Sequence, residues 1–254
     1  MRSDWPYLDH DGPIPFAHRG AHFEPGITEN STAAFARAVE LGFDHVETDV
    51  HATADGVLVA FHDDVLDRTT DGTGRIIDLP WSTVRQARLH EGDGGVPLLE
   101  DLLGAWPELK VNVDSKADTA VEPLVEVITR TNAWDRVCLA AFSDRRLDRL
   151  RALTDHRCCS SMGPKEVARL RAASVHVPAV GRKEFAAQCA QVPTHQGPVP
   201  IVDRRFVDAA HVRGIQVHVW TIDDRAEMVR LLDLGVDGIM TDRPDVLLDV
   251  LRSR

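Results

Sequence analysis

The chain has 254 residues, 43% of them apolar and 27% charged, a balance that excludes disordered and fibrous proteins. Lys and Arg number 29 against 40 Asp and Glu, a net charge of −11. That excludes a general nucleic-acid binder, which needs a basic face to displace counterions, and an electrostatic membrane anchor.

The start, Met1-Arg2-Ser3-Asp4-Trp5-Pro6, lacks the apolar stretch of a signal peptide. No apolar run approaches the roughly 18–20 residues of a membrane span. A cytoplasmic protein with no stable membrane association and no nucleic-acid partner is expected. Residues 1–13 read as a polar N-terminal arm.

From Ile14 onward strand-like and helix-like runs alternate. Ile14–Ala17 and His45–His51 read as strands around a helix at Ser31–Leu41. Further strands are expected at Lys110–Asp114, Val137–Phe142, Cys158–Met162, Ser174–Pro178, Val217–Thr221 and Gly238–Thr241. Helical spacing fits Asp118–Thr131, Ser143–Leu153, Pro164–Ala173, Asp203–Arg213, Asp224–Leu234 and Pro244–Leu251. Asn30 or Ser31, Ser143, Asp203 and Asp223 stand where N-caps belong. Residues 179–202 read as irregular. Eight strands, each followed by a helix and with no break in composition, predict an α/β fold: a single closed parallel (β/α)8 TIM barrel over residues 14–254.

Val57–Phe61 also reads as a strand, but only five residues separate it from His51, too few for a parallel crossover. Asp55-Gly56 is a two-residue hairpin signal, so this run is expected to fold back as a β-hairpin extension of strand 2. That turn sets Asp49 opposite His62. Residues 63–95 then form an insertion before helix 2 (Leu98–Ala105), long enough for a lid or binding loop.

In such a barrel the active site lies at the C-terminal ends of the strands. His18-Arg19-Gly20 follows strand 1: a histidine suited to acid/base work beside an arginine suited to a phosphate. Taken alone, the triplet could equally be a surface or capping feature. On strand 2, Glu47, Asp49 and His51 share one face. Two inward carboxylates need a cation, either Mg²⁺ or Ca²⁺ or the side chains of Arg19 or Lys116. After strand 3, Asp114 could complete a metal site and Lys116 could meet an anionic oxygen; an Asp–Lys pair at a helix start is the plainer reading. His62 would be a second acid/base group. Glu29 could bind metal or orient substrate hydroxyls, Asn30 could be a cap, and Trp220 could wall the mouth or pack in the core. The four cysteines, Cys138, Cys158, Cys159 and Cys189, have no CxxC spacing. The adjacent pair points to opposite sides of a strand, so they read as buried reduced thiols.

As a set, these residues resemble the glycerophosphodiester phosphodiesterase family. His18-Arg19-Gly20, Glu29-Asn30, Glu47-Thr48-Asp49-Val50, Thr53-x-Asp55-Gly56, Val59-x-x-His62-Asp63 and Arg68-Thr69-Thr70 occur in the family's order and spacing. So do Val219-Trp220-Thr221 and the stretch from Gly235 to Pro244. The resemblance runs over about residues 14 to 250. It implies a TIM barrel that hydrolyses glycerophosphodiesters to glycerol 3-phosphate and an alcohol. It further implies His18 and His62 as the acid/base pair, Glu47 and Asp49 on a divalent cation, and Arg19 and Lys116 on the phosphate. The family usually carries glutamate where this chain has Asp114, which is one methylene shorter. Ala140-Ala141-Phe142-Ser143 also departs from the family's Ser-Ser-Phe.

Three other functions fit parts of the pattern. A lysophospholipase D-like or phospholipase D-like enzyme would need an apolar ramp, which the sequence does not show. A non-catalytic barrel binding a phosphoryl ligand would have little use for two histidines. A glycosidase would use paired carboxylates but leave Arg19 and Lys116 without a role. A homo-oligomer is left open.

Overall fold

The computed structural model describes residues 4–92, 94–175 and 185–254. Its strands are β1 (Ile14–His18), β2 (His45–Ala52), β3 (Leu58–Ala60), β4 (Lys110–Ser115), β5 (Val137–Ala140), β6 (Cys159–Ser160), β7 (Cys189–Val192), β8 (His195–Gln196), β9 (Val199–Pro200), β10 (Gln216–Val219) and β11 (Gly238–Thr241). Its helices are α1 (Thr32–Glu40), α2 (Trp81–Val84), α3 (Leu99–Ala105), α4 (Val121–Arg130), α5 (Asp144–Leu153), α6 (Pro164–Ser174), α7 (Arg204–His211), α8 (Arg225–Leu234) and α9 (Pro244–Arg252).

Eight strands pair in parallel in the order β6-β5-β4-β2-β1-β11-β10-β7. The ring closes between β6 and β7 through a single bridge, Ser161 to Cys189, with Met162 N–H donating to Cys189 O at 2.9 Å. This is the expected barrel, with one strand displaced. Ser174 ends α6 instead of opening a strand, and residues 176–178 of the expected run lie outside the described residues. The sixth barrel strand is Cys189–Val192, inside the stretch read as irregular. Its Ala and Gln carry little β-propensity; position between two neighbouring strands, not composition, makes it a strand.

Period-two alternation sorts the side chains. Val46, Val50, Val111, Val113, Leu139, Val217 and Ile239 face outward into the helix layer. Ile14, Phe16, Cys138, Cys159, Cys189 and Met240 fill the barrel's interior. The N-terminal arm closes the lower mouth: Tyr7 and Leu8 are buried in that same interior cluster. Their carbonyls accept from His45 Nε2 at 2.8 Å and Gln216 Nε2 at 3.1 Å.

The hairpin forms, but its register differs by one from the expected one. Val50 pairs with Ala60, His51 with Val59 and Ala52 with Leu58, which sets Phe61, not His62, level with Asp49 (Phe61 N–H to Asp49 O, 2.9 Å). The loop has three residues, Ala54-Asp55-Gly56, closed by Thr53 N–H to Val57 O at 2.9 Å. Gly56 takes the left-handed conformation (φ +81°) that such a loop requires. The extra loop residue moves every pairing by one. The insertion has a core of its own, Leu66, Ile76, Val84, Ala87 and Val96 against Val59 and Phe61.

Leu8→Ala is expected to cost about 2–4 kcal/mol in denaturant unfolding, as buried leucines do, while the half-exposed Leu153→Ala costs far less. Equal small losses would mean that the arm does not plug the barrel.

Candidate active site

The C-terminal mouth encloses a cavity of about 600 Å³ reached by His18, Arg19, Glu47, Asp49, His62, Asn112, Asp114, Lys116 and Trp220. All the candidate residues therefore meet there except Glu29, which stands behind Arg19.

After β1 the backbone turns sharply. Arg19 and Gly20 both have positive φ (54° and 81°), a strained state for arginine. A Cβ on Gly20 would come within 2.7 Å of the Ala34 backbone. The turn is held by Arg19 N–H on Glu47 Oε2 (3.2 Å) and by Asn30 N–H on Arg19 O (2.9 Å). It sends the guanidinium back over the mouth, with Nη1 on Glu29 Oε1 at 3.0 Å and Nε 3.1 Å from Asp49 Oδ2. That Nε–H is poorly aligned for a hydrogen bond and has no hydrogen-bond partner among the described residues. Asn30 is not a cap; Ser31 caps α1. Asn30, itself left-handed and buried, accepts from Thr48 Oγ1 at 2.8 Å and reaches Asp49 Oδ2 at 3.4 Å.

Lys116 Nζ lies between Asp49 Oδ1 (2.7 Å) and Asp114 Oδ2 (2.8 Å). These two carboxylates thus share a lysine. Burial opposes the charge on Asp49, but Lys116 and then Arg19 hold its carboxyl below the ordinary range. Burial dominates at Asp114 and raises it, against Lys116. Glu47 has no lysine: burial, and then the charge of Asp49, push it up to about 8.

Each of the two histidines is oriented by a carboxylate. His18 Nδ1 lies 2.7 Å from Asp242 Oδ1, and its Nε2 lies 3.6 Å from Glu47 Oε2. Burial lowers the His18 pKa, yet Glu47 and then Asp242 raise it overall. Asp242 is in turn fixed by Asp223, whose Oδ1 accepts from Thr241 Oγ1 (2.9 Å) and Asp242 N–H (2.8 Å). Asp223 is therefore not the cap of α8; Asp224 is. His62 stands two residues past the end of β3, with Nδ1 2.6 Å from Asp63 Oδ1. Arg68, from the insertion, joins Asp63 (Nε to Oδ2, 2.6 Å) to Glu29 (Nη2 to Oε1, 2.6 Å). His51 is not among the residues lining the cavity; its Nε2 lies 3.1 Å from His62 O.

Sequence reasoning did not assign Asp63, Arg68, Asp223 or Asp242 to the site. Asp63, Arg68 and Asp242 sit within the motifs Val59-x-x-His62-Asp63, Arg68-Thr69-Thr70 and Gly235 to Pro244, and Asp223 two residues after Val219-Trp220-Thr221, but nothing local shows which histidine each acidic group serves. The opposite wall is apolar: Met162, Val167, Ile201 and Trp220, with Phe142 edge-on to Trp220 at 5.6 Å and 66% exposed. Of this wall, Trp220 was among the expected residues; Phe142, Met162, Val167 and Ile201 were not.

Cationic side chains, two imidazoles held through Nδ1 and a dense set of carboxylates at the mouth of a parallel barrel define a site for chemistry on a phosphate ester. Residues 18–246 match the model of the glycerophosphoryl diester phosphodiesterase family, and the chain belongs to that family. It is 42% identical, over 98% of its length and 94% of the relative's, to "Probable glycerophosphodiester phosphodiesterase 2" of Mycobacterium tuberculosis. It is 27% identical to human "Lysophospholipase D GDPD1" over 93% of this chain and 85% of that one. Among solved structures, a glycerophosphoryl diester phosphodiesterase domain from Mycobacterium tuberculosis superposes with a TM-score of 0.80 at 20% identity, covering 96% of this chain and all of that one; this likeness concerns the fold. Among the described residues no helix is long and apolar enough to cross a membrane.

Arg68, and then His62, hold the Asp63 carboxyl down to about 2. An acid whose folded value is depressed adds stability that is complete above its unfolded value of about 3.9 and is lost as pH falls through about 2. Asp63→Asn should therefore be less stable than wild type at pH 7, and the gap should narrow between pH 4 and 2 in circular-dichroism melts.

Proposed function

We propose that the chain hydrolyses glycerophosphodiesters to glycerol 3-phosphate and an alcohol, with His18 and His62 as the acid/base pair. The observation that carries this reading is the pair of carboxylate-backed histidines facing one cavity: His18 on Asp242 and His62 on Asp63. A carboxylate on Nδ1 fixes the tautomer and ring direction, leaving Nε2 toward the substrate. One imidazole takes the proton of the nucleophile, water or the glycerol 2-hydroxyl; the other protonates the departing alkoxide. Arg19 and Lys116 offset the charge that develops on the phosphoryl oxygens. Glu29 keeps Arg19 and Arg68 in place, and Trp220 is a wall for the glycerol or alcohol group.

The donor chemistry fits a hard divalent cation, Mg²⁺ or Ca²⁺. Glu47 is a buried carboxyl with no lysine or arginine side chain paired to it, only the His18 imidazole at 3.6 Å, and among the described residues Asn112 Oδ1 and Asp114 Oδ1 are buried without hydrogen-bond partners. Glu47, Asp49 and Asp114 would hold the ion. When bound, it supplies further stabilisation of negative charge on the phosphoryl group.

A second reading, a lysophospholipase D-like activity, is favoured by the apolar wall around Phe142 and Trp220, which could take an acyl chain.

Glycerol 3-phosphate release from glycerophosphocholine is expected to fall at least about 100-fold in His18→Ala and in His62→Ala, and to be abolished by chelator and restored by Mg²⁺ or Ca²⁺. Wild-type turnover in either variant would refute the acid/base pair, and full activity in chelator would refute the ion. A kcat/KM for a lysophospholipid above that for glycerophosphocholine, lost in Phe142→Ser, would establish the second reading.

A further inference from the structure

Below the catalytic mouth the barrel encloses a second cluster of ligating side chains that the reaction does not use. Cys138 on β5, Cys159 on β6 and Cys189 on β7 all point inward and are buried. Their sulfurs all lie within 4.8 Å of one another, and Cys138 and Cys189 are 3.8 Å apart. All three are free thiols. Around a tetrahedral ion with metal–sulfur bonds of about 2.3 Å, neighbouring sulfurs lie about 3.8 Å apart. One pair already has this spacing, and the others need to close by about 1 Å at most.

Two buried polar atoms at the cluster have no hydrogen-bond partner among the described residues: His218 Nδ1 and the Tyr7 hydroxyl. His218 lies on β10, beside β7. Its Nε2 is engaged by Gln216 Oε1 at 3.1 Å, and its ring lowers the Cys189 thiol's pKa, after Cys138 and Cys159. Tyr7, on the plug, is held protonated by burial and then by the three cysteines.

We propose that Cys138, Cys159 and Cys189 bind one thiophilic d¹⁰ cation, Zn²⁺, at the centre of the barrel, with His218, which stands outside the 4.8 Å set of sulfurs, closing inward to the fourth position. Sulfur donors select such an ion over Mg²⁺ or Ca²⁺, which oxygen donors take. Three S–H bonds break, three metal–sulfur bonds form, and three protons pass to the buffer. The position has a structural consequence. The barrel closes at β6–β7 through a single bridge, and the ligands come from β5, β6 and β7, so the ion staples the seam where the hydrogen-bond ladder is weakest. Tyr7 O–H can donate to one thiolate and so ties the plug to the same centre. The burial of the cluster means that the ion enters during folding.

The test is refolding of the full chain, after unfolding in chelator, with Co²⁺ or Zn²⁺ as the sole added metal. Co²⁺ should give an intense thiolate-to-metal charge-transfer band in the near ultraviolet at one equivalent, which a carboxylate site cannot produce. Zn²⁺ measured by elemental analysis should be close to one per chain after the folded protein is washed with chelator. It should fall about tenfold in Cys159→Ala and Cys189→Ala but not in Cys158→Ala, whose side chain faces the helix layer. Zinc refolding should raise the wild-type Tm and leave that of Cys189→Ala unchanged. If these variants do not fold, the wild-type cobalt spectrum decides. No charge-transfer band, a Cys138–Cys189 disulfide under reducing purification, or equal loss of zinc in Cys158→Ala would overturn the proposal.

Discussion

Three acidic side chains, Glu47, Asp49 and Asp114, point into the upper interior of the barrel and are almost wholly buried, and the layout of the mouth follows from how that charge is balanced. Buried carboxylates repel one another and lose hydration, and they persist only when paired. Lys116 takes Asp49 and Asp114. Arg19 takes Asp49 from the other side, at the cost of a left-handed backbone. Glu47 is left with a backbone N–H and an imidazole, so its carboxyl is the one most displaced toward the neutral form. Such a concentration of charge in a small volume suits a ligand that is itself charged.

Around this centre stands a second tier that sets direction. Asp242 and Asp63 each turn one histidine, and each is held by something further out: Asp223 for the first, Arg68 for the second. Arg68 comes from the insertion, so the 63–95 segment is tied to the site and to the β1–α1 loop, where Thr28 Oγ1 donates to Glu91 O at 2.9 Å. Loss of Arg68 would leave Asp63 to His62 alone and Glu29 to Arg19 alone. The insertion has its own small apolar core, and that lets a long loop present one side chain in a fixed place.

The expected hairpin shows how far local signals reach. Asp55-Gly56 does mark the turn, but Ala54 joins it, because Thr53 and Val57 close a three-residue loop. The one-residue difference removes the expected pairing of Asp49 with His62. His62 still reaches the mouth because the chain leaves the ladder after Ala60. The misplaced sixth strand has a related cause. The run at Ser174–Pro178 has a β-rich composition, whereas the place in the ring depends on what the neighbours β6 and β10 can pair with.

Alternation along the chain was enough by itself to determine a closed parallel barrel, and period-two spacing put Glu47 with Asp49 on one inward face. Those are local regularities, set by backbone geometry that every strand obeys. Only the tertiary structure decided that Lys116 sits between two carboxylates and that Asp242, 224 positions from His18, orients it. It alone brought three cysteines from separate strands into contact. Closing the barrel makes residues neighbours by their height on the ring and not by their distance along the chain, so no spacing in the sequence could have reported those contacts.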